Sequence, residues 1–105
     1  MRCGNCYVTC EALYHLLGGG AAGYTPRTVH HEGSVHWYLV KRTLAGFDYD
    51  HDGSSRQRWC DIILDPTAAQ FKTPPPYHLG RGRGFLTKAP SKRARALMQQ
   101  LVWQE

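Results

Sequence analysis

A thiol, an imidazole and a carboxylate occur in this sequence in an order that could carry nucleophilic chemistry. They are Cys6 near the start, His36 inside an apolar stretch and Asp65 directly before a proline. Cysteine attacks carbonyl carbon as the thiolate, which requires a base to take its proton and a carboxylate to orient that base. Asn5 is a suitable N-cap. That cap would put Cys6 at the first helical position, where unsatisfied backbone N–H groups and the helix dipole favour the thiolate. Each residue also has a structural reading. Cys6 could be a small buried hydrophobe, as Cys10 is expected to be. His36 could be a half-exposed strand residue, and Asp65 a turn initiator. It is the three together that point to catalysis. The expected geometry is Cys6 Sγ within about 4 Å of one His36 ring nitrogen, with Asp65 on the other.

The elements that must position these groups follow from periodicity. Cys6, Cys10, Leu13 and Leu17, at spacings of four, three and four, share one face of a helix over 6–17, and Gly18-Gly19-Gly20 stops it. Residues 27–31 predict a short strand. Residues 34–41 predict a stronger one, with Val35, Trp37 and Leu39 on one face and His36 on the other. Residues 42–58 read as a polar connection, and 59–65 as a further strand ended by Pro66. Antiparallel pairing would bring His36 and Asp65 together near one end of the sheet, within reach of Cys6 on a packed helix. Pro74-Pro75-Pro76 is a stiff extended segment, and residues 80–84 (GRGRG) form a loop. Ser91 caps a second helix in which Ala94, Leu97, Met98, Leu101 and Val102 make an apolar stripe expected to be buried. The fold class is therefore α+β: an N-terminal helix carrying the cysteine on a small antiparallel sheet, plus a C-terminal helix.

The chain of 105 residues is the size of one domain. No stretch approaches the ~20 apolar residues of a membrane span, and the N-terminus lacks the pattern of a secretory signal. The expected compartment is the cytoplasm, where Cys3, Cys6, Cys10 and Cys60 would be free, metal-bound or catalytic rather than disulfide-bonded. The net charge of +5 is uneven: residues 66–105 carry seven basic side chains and one acidic. Arg81, Arg83, Lys88, Lys92, Arg93 and Arg95 fall within fifteen residues, and Tyr77 and Phe85 could stack on a base. This segment suits an acidic protein or a phosphorylated small molecule, with a solvated basic surface as the plain alternative. No nucleic-acid motif is present. Residues 48–53 match the first half of a calcium loop, but Trp59 stands where the bidentate Glu belongs, so a solvated hairpin tip is the better reading. Cys3, Cys6 and Cys10 with His30, His31 or His51 lack the second pair that structural zinc requires. Neither a metal nor a cofactor is expected.

Gly4-Asn5-Cys6 at a helix start, His36-Trp37 in a strand, and Leu64-Asp65-Pro66-Thr67 together resemble the core of transglutaminase-like proteins. These belong to the broad papain-like group of cysteine hydrolases and acyl transferases. The resemblance spans about residues 4–71 and leaves the basic loop and helix of 72–105 outside it. It implies a thiol hydrolase or acyl transferase acting on an amide, ester or isopeptide carbonyl. Cys6 would be the nucleophile, His36 the general base and Asp65 the orienting carboxylate. With five residues ahead of Cys6, the expected oxyanion donors are Asn5 and the Cys6 backbone N–H. The chain also resembles small proteins carried by bacteriophages, which implies the cytoplasm of a host cell. The alternative is a non-catalytic protein of that kind, sequestering a nucleotide signal or an acidic host partner through Arg81, Arg83, Lys88, Arg93 and Tyr77.

Overall fold

The computed structural model describes residues 2–85 and 88–103, with side chains from 6–85 and 88–101. The chain runs α1 (Arg2–Leu16), β1 (Tyr24–His31), β2 (Ser34–Tyr49), β3 (Ser55–Leu64), β4 (Arg81–Gly82) and α2 (Lys92–Trp103). The strands form one antiparallel sheet in the order β3-β2-β1-β4. The α+β architecture expected from the sequence is the one observed. No helix among the described residues is long and apolar enough to cross a membrane.

Helix α1 begins at Arg2, ahead of the expected cap at Asn5. Neither Gly4 nor Asn5 blocks a helical backbone as proline would, so the helix extends through both. Cys6 therefore sits in the second turn, where its amide belongs to the intrahelical ladder rather than to the orphan N–H groups of the first turn. The glycine stop acts as expected: Gly18 takes a left-handed conformation at φ 101°, which a side chain would disfavour.

The β1–β2 hairpin turns through Glu32 and Gly33, both at positive φ, as a two-residue loop requires for strands of right-handed twist. Strands β2 and β3 run further than periodicity suggested, and residues 42–58, expected as a polar connection, mostly continue the ladder. Beyond Lys41, β2 pairs with β3 alone, forming a two-stranded ribbon that helps extend the molecule to 54 Å along its long axis. Cross-strand chemistry holds it. Leu44 faces Trp59, the Arg42 guanidinium lies 5.4 Å from the Trp59 ring, and Asp48–Arg58 and Asp50–Arg56 pair at 3.5 and 3.4 Å. A bulge between Leu44 and Gly46 absorbs one residue, with Gly46 at φ 151°. At the tip, the Ser54 N–H and hydroxyl both donate to Asp52 Oδ1, and Asp50 pairs with Arg56.

The side of β2 bearing His36, Tyr38 and Val40 is the more deeply buried one, because Tyr38 and Val40 form a core with Val29 and Tyr77. On the other side Leu39 is buried but Val35 is exposed. Helix α1 packs on β2, with Tyr7 edge-on to Trp37 at 4.8 Å.

Helix α2 packs against α1 through a polar clamp as well as an apolar stripe. Glu11, fully buried on α1, accepts hydrogen bonds from the Ser91 N–H and hydroxyl, each at 2.8 Å. The Ser91 hydroxyl oxygen in turn accepts the Ala94 N–H at 3.2 Å, so one serine caps α2 and satisfies the buried carboxylate. Of the expected stripe, Ala94 is fully buried and Leu97 and Met98 are half-buried. Leu101, expected in the core, is 47% exposed, and the Val102 side chain lies outside the described residues. Ser91→Ala should therefore lower the unfolding free energy by about 1–3 kcal/mol, through the lost cap and the stranded Glu11 oxygen. Leu101→Ala should change it by about 0.5 kcal/mol or less, as for surface substitutions. Urea unfolding curves of wild type and both variants check the pair.

Candidate active site

Three elements converge at the end of the sheet where β3 stops. Leu39 pairs with Leu64, and continuing that register by one residue sets Asp65 across from Tyr38 and diagonal to His36. Pro66 follows at once and turns the chain out of the strand direction. With β3 ended, His36 is reached by α1 from one side and by the segment after Asp65 from the other.

Cys6 Sγ lies 3.2 Å from His36 Nδ1, and His36 Nε2 lies 2.7 Å from Asp65 Oδ2. Because a carboxylate only accepts, Nε2 carries a proton and Nδ1 is the nitrogen that exchanges a proton with sulfur. Both Cys6 and His36 are buried, at 1% and 0% exposure. The ring is held from both sides, by Phe71 edge-on at 4.6 Å and by Tyr38 stacked at 6.1 Å. Asp65 is fixed in turn by the Tyr77 hydroxyl, which donates to Oδ2 at 2.6 Å.

Two further groups address the sulfur. Gln70 Nε2 donates to Sγ at 2.8 Å and the Thr67 hydroxyl at 3.5 Å. Both come from one short turn after Asp65, in which Ala68 N–H donates to Asp65 O, Gln70 N–H to Thr67 O and Phe71 N–H to Ala68 O. The segment is tied to the β1–β2 hairpin by Glu32, whose carboxylate accepts the N–H groups of Lys72 and Thr73 and the Thr73 hydroxyl at 3.0–3.3 Å. This anchorage ties the Glu32–Gly33 turn to the residues immediately following Phe71.

The electrostatics favour a charged pair. Burial pushes the Cys6 thiol up, but hydrogen bonds from Thr67, His36 and Gln70, with the His36 charge, outweigh it and hold the thiol below its ordinary value of 9.0. Burial likewise pushes His36 down, but its bonds to Asp65 and Cys6 and their charges outweigh it and raise it above 6.5. Both shifts move the pair toward thiolate and imidazolium. Cys10, one helical turn away, goes the other way: burial raises it, and the Asp65 and Cys6 charges raise it further, so it stays a thiol. Burial and the bond to Asp65 raise Tyr77, which keeps its proton for that bond.

The remaining sites expected from sequence fare differently. The Asn5 side chain lies outside the described residues, and the Cys6 amide is committed to the helix. Tyr77 is not free to stack on a base, since its ring packs on Tyr38 at 5.0 Å and its hydroxyl holds Asp65. Phe85 is taken up by Tyr7, Tyr14 and Trp37. Arg81 and Arg83 line one cleft, and Arg83 and Lys88 line an adjoining one with Tyr14 and His15. Arg93 lies apart, in a groove with Val8 and Leu97. The basic residues therefore do not converge on one pocket. The Cys3 side chain lies outside the described residues. Among those described, no group of three or more His, Cys, Asp and Glu could hold a metal ion.

Sequence reasoning missed Thr67, Gln70, Phe71 and the tether from Tyr77. The signal for the first three was their closeness to Asp65-Pro66, since a tight turn after the acid returns its next side chains to the same end of the sheet. No protein-family model, curated protein or solved structure matches the chain.

A thiolate held by His36 has a measurable signature. The rate of Cys6 carbamidomethylation by iodoacetamide should rise with pH around a midpoint below 9.0, and His36→Ala should move that midpoint upward. Mass spectrometry of the Cys6 peptide against pH, with exposed Cys60 as internal reference, provides the measurement.

Proposed function

We propose that this protein is a cytoplasmic thiol hydrolase or acyl transferase related to the transglutaminase-like and papain-like enzymes, acting on an amide, ester or isopeptide carbonyl. The observation that carries the reading is the unbroken line from Cys6 Sγ through both His36 nitrogens to Asp65, at 3.2 and 2.7 Å. A structural role would not require a buried histidine to spend both ring nitrogens on a thiol and a carboxylate.

In the mechanism, the Cys6 thiolate adds to the carbonyl carbon, and the C=O π pair moves onto oxygen. As the tetrahedral adduct collapses, His36 Nδ1–H gives its proton to the departing nitrogen or oxygen, and the bond to that group breaks, leaving a thioester on Cys6. His36, now neutral, takes a proton from water or from an acceptor amine as it attacks the thioester. The Cys6 thiolate then leaves, restoring the starting pair. Asp65 holds the Nε2–H throughout and stabilises the imidazolium. Tyr77 keeps Asp65 in place. The cationic surface carrying Arg81, Arg83 and Lys88 recruits an acidic substrate or partner, contributing to binding rather than to the chemical step.

Incubation with p-nitrophenyl acetate should release a burst of one nitrophenolate per protein and leave acetyl on Cys6, followed by slower turnover. Cys6→Ala should abolish both, and His36→Ala should slow acylation by about 10²–10⁴-fold. Acetylation spread over lysines or Cys60, unchanged in Cys6→Ala, would refute the reading.

A further inference from the structure

Every acyl transfer through a thiolate moves negative charge from sulfur to the carbonyl oxygen two bonds away, and a catalyst gains most by placing a fixed donor where that charge arrives. Of the expected donors, the Cys6 amide lies within the α1 ladder and the Asn5 side chain lies outside the described residues. The strongest hydrogen bond on the sulfur other than that of His36 comes instead from Gln70, at 2.8 Å.

Resting on the acyl-transfer reading above, we propose that Gln70 is the oxyanion donor of this site, covering the Cys6 sulfur at rest and passing its hydrogen bond to the carbonyl oxygen as the charge moves there. The carboxamide has the right chemistry. It is a neutral donor, so it stabilises negative charge on sulfur or oxygen without competing for the proton that His36 must deliver. It carries two N–H bonds, and the one not directed at sulfur has no acceptor among the described residues. Turning the amide over would set its oxygen against the thiolate, so the pair itself selects the donating orientation.

Position and rigidity support the same assignment. Gln70 closes the turn begun at Asp65, with its own N–H bonded to Thr67 O at 3.2 Å. The next residue, Phe71, is buried against the His36 ring at 4.6 Å. A donor fixed between the acid's turn and the base's packing partner is preorganised, and that is the condition under which such hydrogen bonds accelerate chemistry. Cys6 is 1% exposed, and with Nε2 2.8 Å from the sulfur the carboxamide is one of the groups an attacked carbonyl must meet. Thr67, at 3.5 Å, is a weaker second donor.

The test uses two reagents on the same sulfur. Iodoacetamide alkylates by displacing iodide from a saturated carbon and forms no oxyanion, whereas p-nitrophenyl acetate acylates through one. Rates at Cys6 are compared above the thiol midpoint of each protein. Gln70→Ala should slow acylation by about 10²–10³-fold while leaving saturated alkylation unchanged, and Gln70→Glu, which keeps the shape without the N–H donors, should do the same. Equal losses in both reactions would mean that Gln70 only maintains the site, and would overturn the proposal. So would a shifted alkylation midpoint with unchanged saturated acylation, which would confine Gln70 to the resting thiolate. A wild-type Cys6 that alkylates but never acylates would instead bring down the acyl-transfer reading itself, and the oxyanion role with it.

Discussion

The structure turns on one buried imidazole, that of His36, whose neighbours favour its charged form. Removing an ion from water costs several kcal/mol unless strong partners replace the solvent. His36 is fully buried and has a partner at each ring nitrogen, the Cys6 sulfur and the Asp65 carboxylate. Those two groups have donors of their own: Gln70 and Thr67 on the sulfur, Tyr77 on the carboxylate. A chain of charge-assisted hydrogen bonds thus runs through the interior. Losing one member leaves its neighbour's charge uncompensated, which is a stronger constraint than packing alone imposes.

Much of the local architecture follows from that demand. The β2–β3 register sets the carboxylate diagonal to the imidazole, and the end of β3 leaves room for helix and turn to reach the same ring. The turn after Asp65 then supplies the donors for sulfur and the aromatic edge for the ring. A Cβ on Gly80 would run into the Tyr38 hydroxyl, so the segment carrying Tyr77 presses against β2 as closely as a glycine allows. At the far side of the same segment, the Glu32 carboxylate gathers the backbone of Lys72 and Thr73. The site is therefore clamped by short connections near Asp65 and by anchors on β2 and on the β1–β2 turn.

The helix–sheet–helix order was legible because α1, the start of β2 and α2 each carry their hydrophobic period within one segment. The meeting of Cys6, His36 and Asp65 was legible for a related reason, since each lies at a recognisable boundary or face. The long ribbon was not, because residues 42–58 mix glycine and aspartate with the β-forming residues, and what decides in favour of strand is cross-strand pairing such as Leu44 with Trp59. The early start of α1 was missed because an asparagine that fits a cap also fits a helix interior at modest cost. Leu101 was misread because an apolar period marks the face of a helix but not how deeply each residue on that face is covered. Gln70 escaped notice because its closeness to Asp65-Pro66 becomes a signal only through the turn that brings it back over sulfur.

The claim on which all this rests is that His36 is charged by its two neighbours. It can be measured directly by following the His36 ring nitrogens in ¹⁵N-labelled protein through a pH titration, in wild type and in Cys6→Ser. In wild type, His36 should hold its second proton to a pH above 6.5, and replacing the thiolate with a neutral hydroxyl should bring the titration to lower pH, since one of the two stabilising anions is gone. A His36 that titrates at or below 6.5 in wild type and does not respond to Cys6→Ser would contradict the ion pair, and with it the reading of the site as an activated thiol.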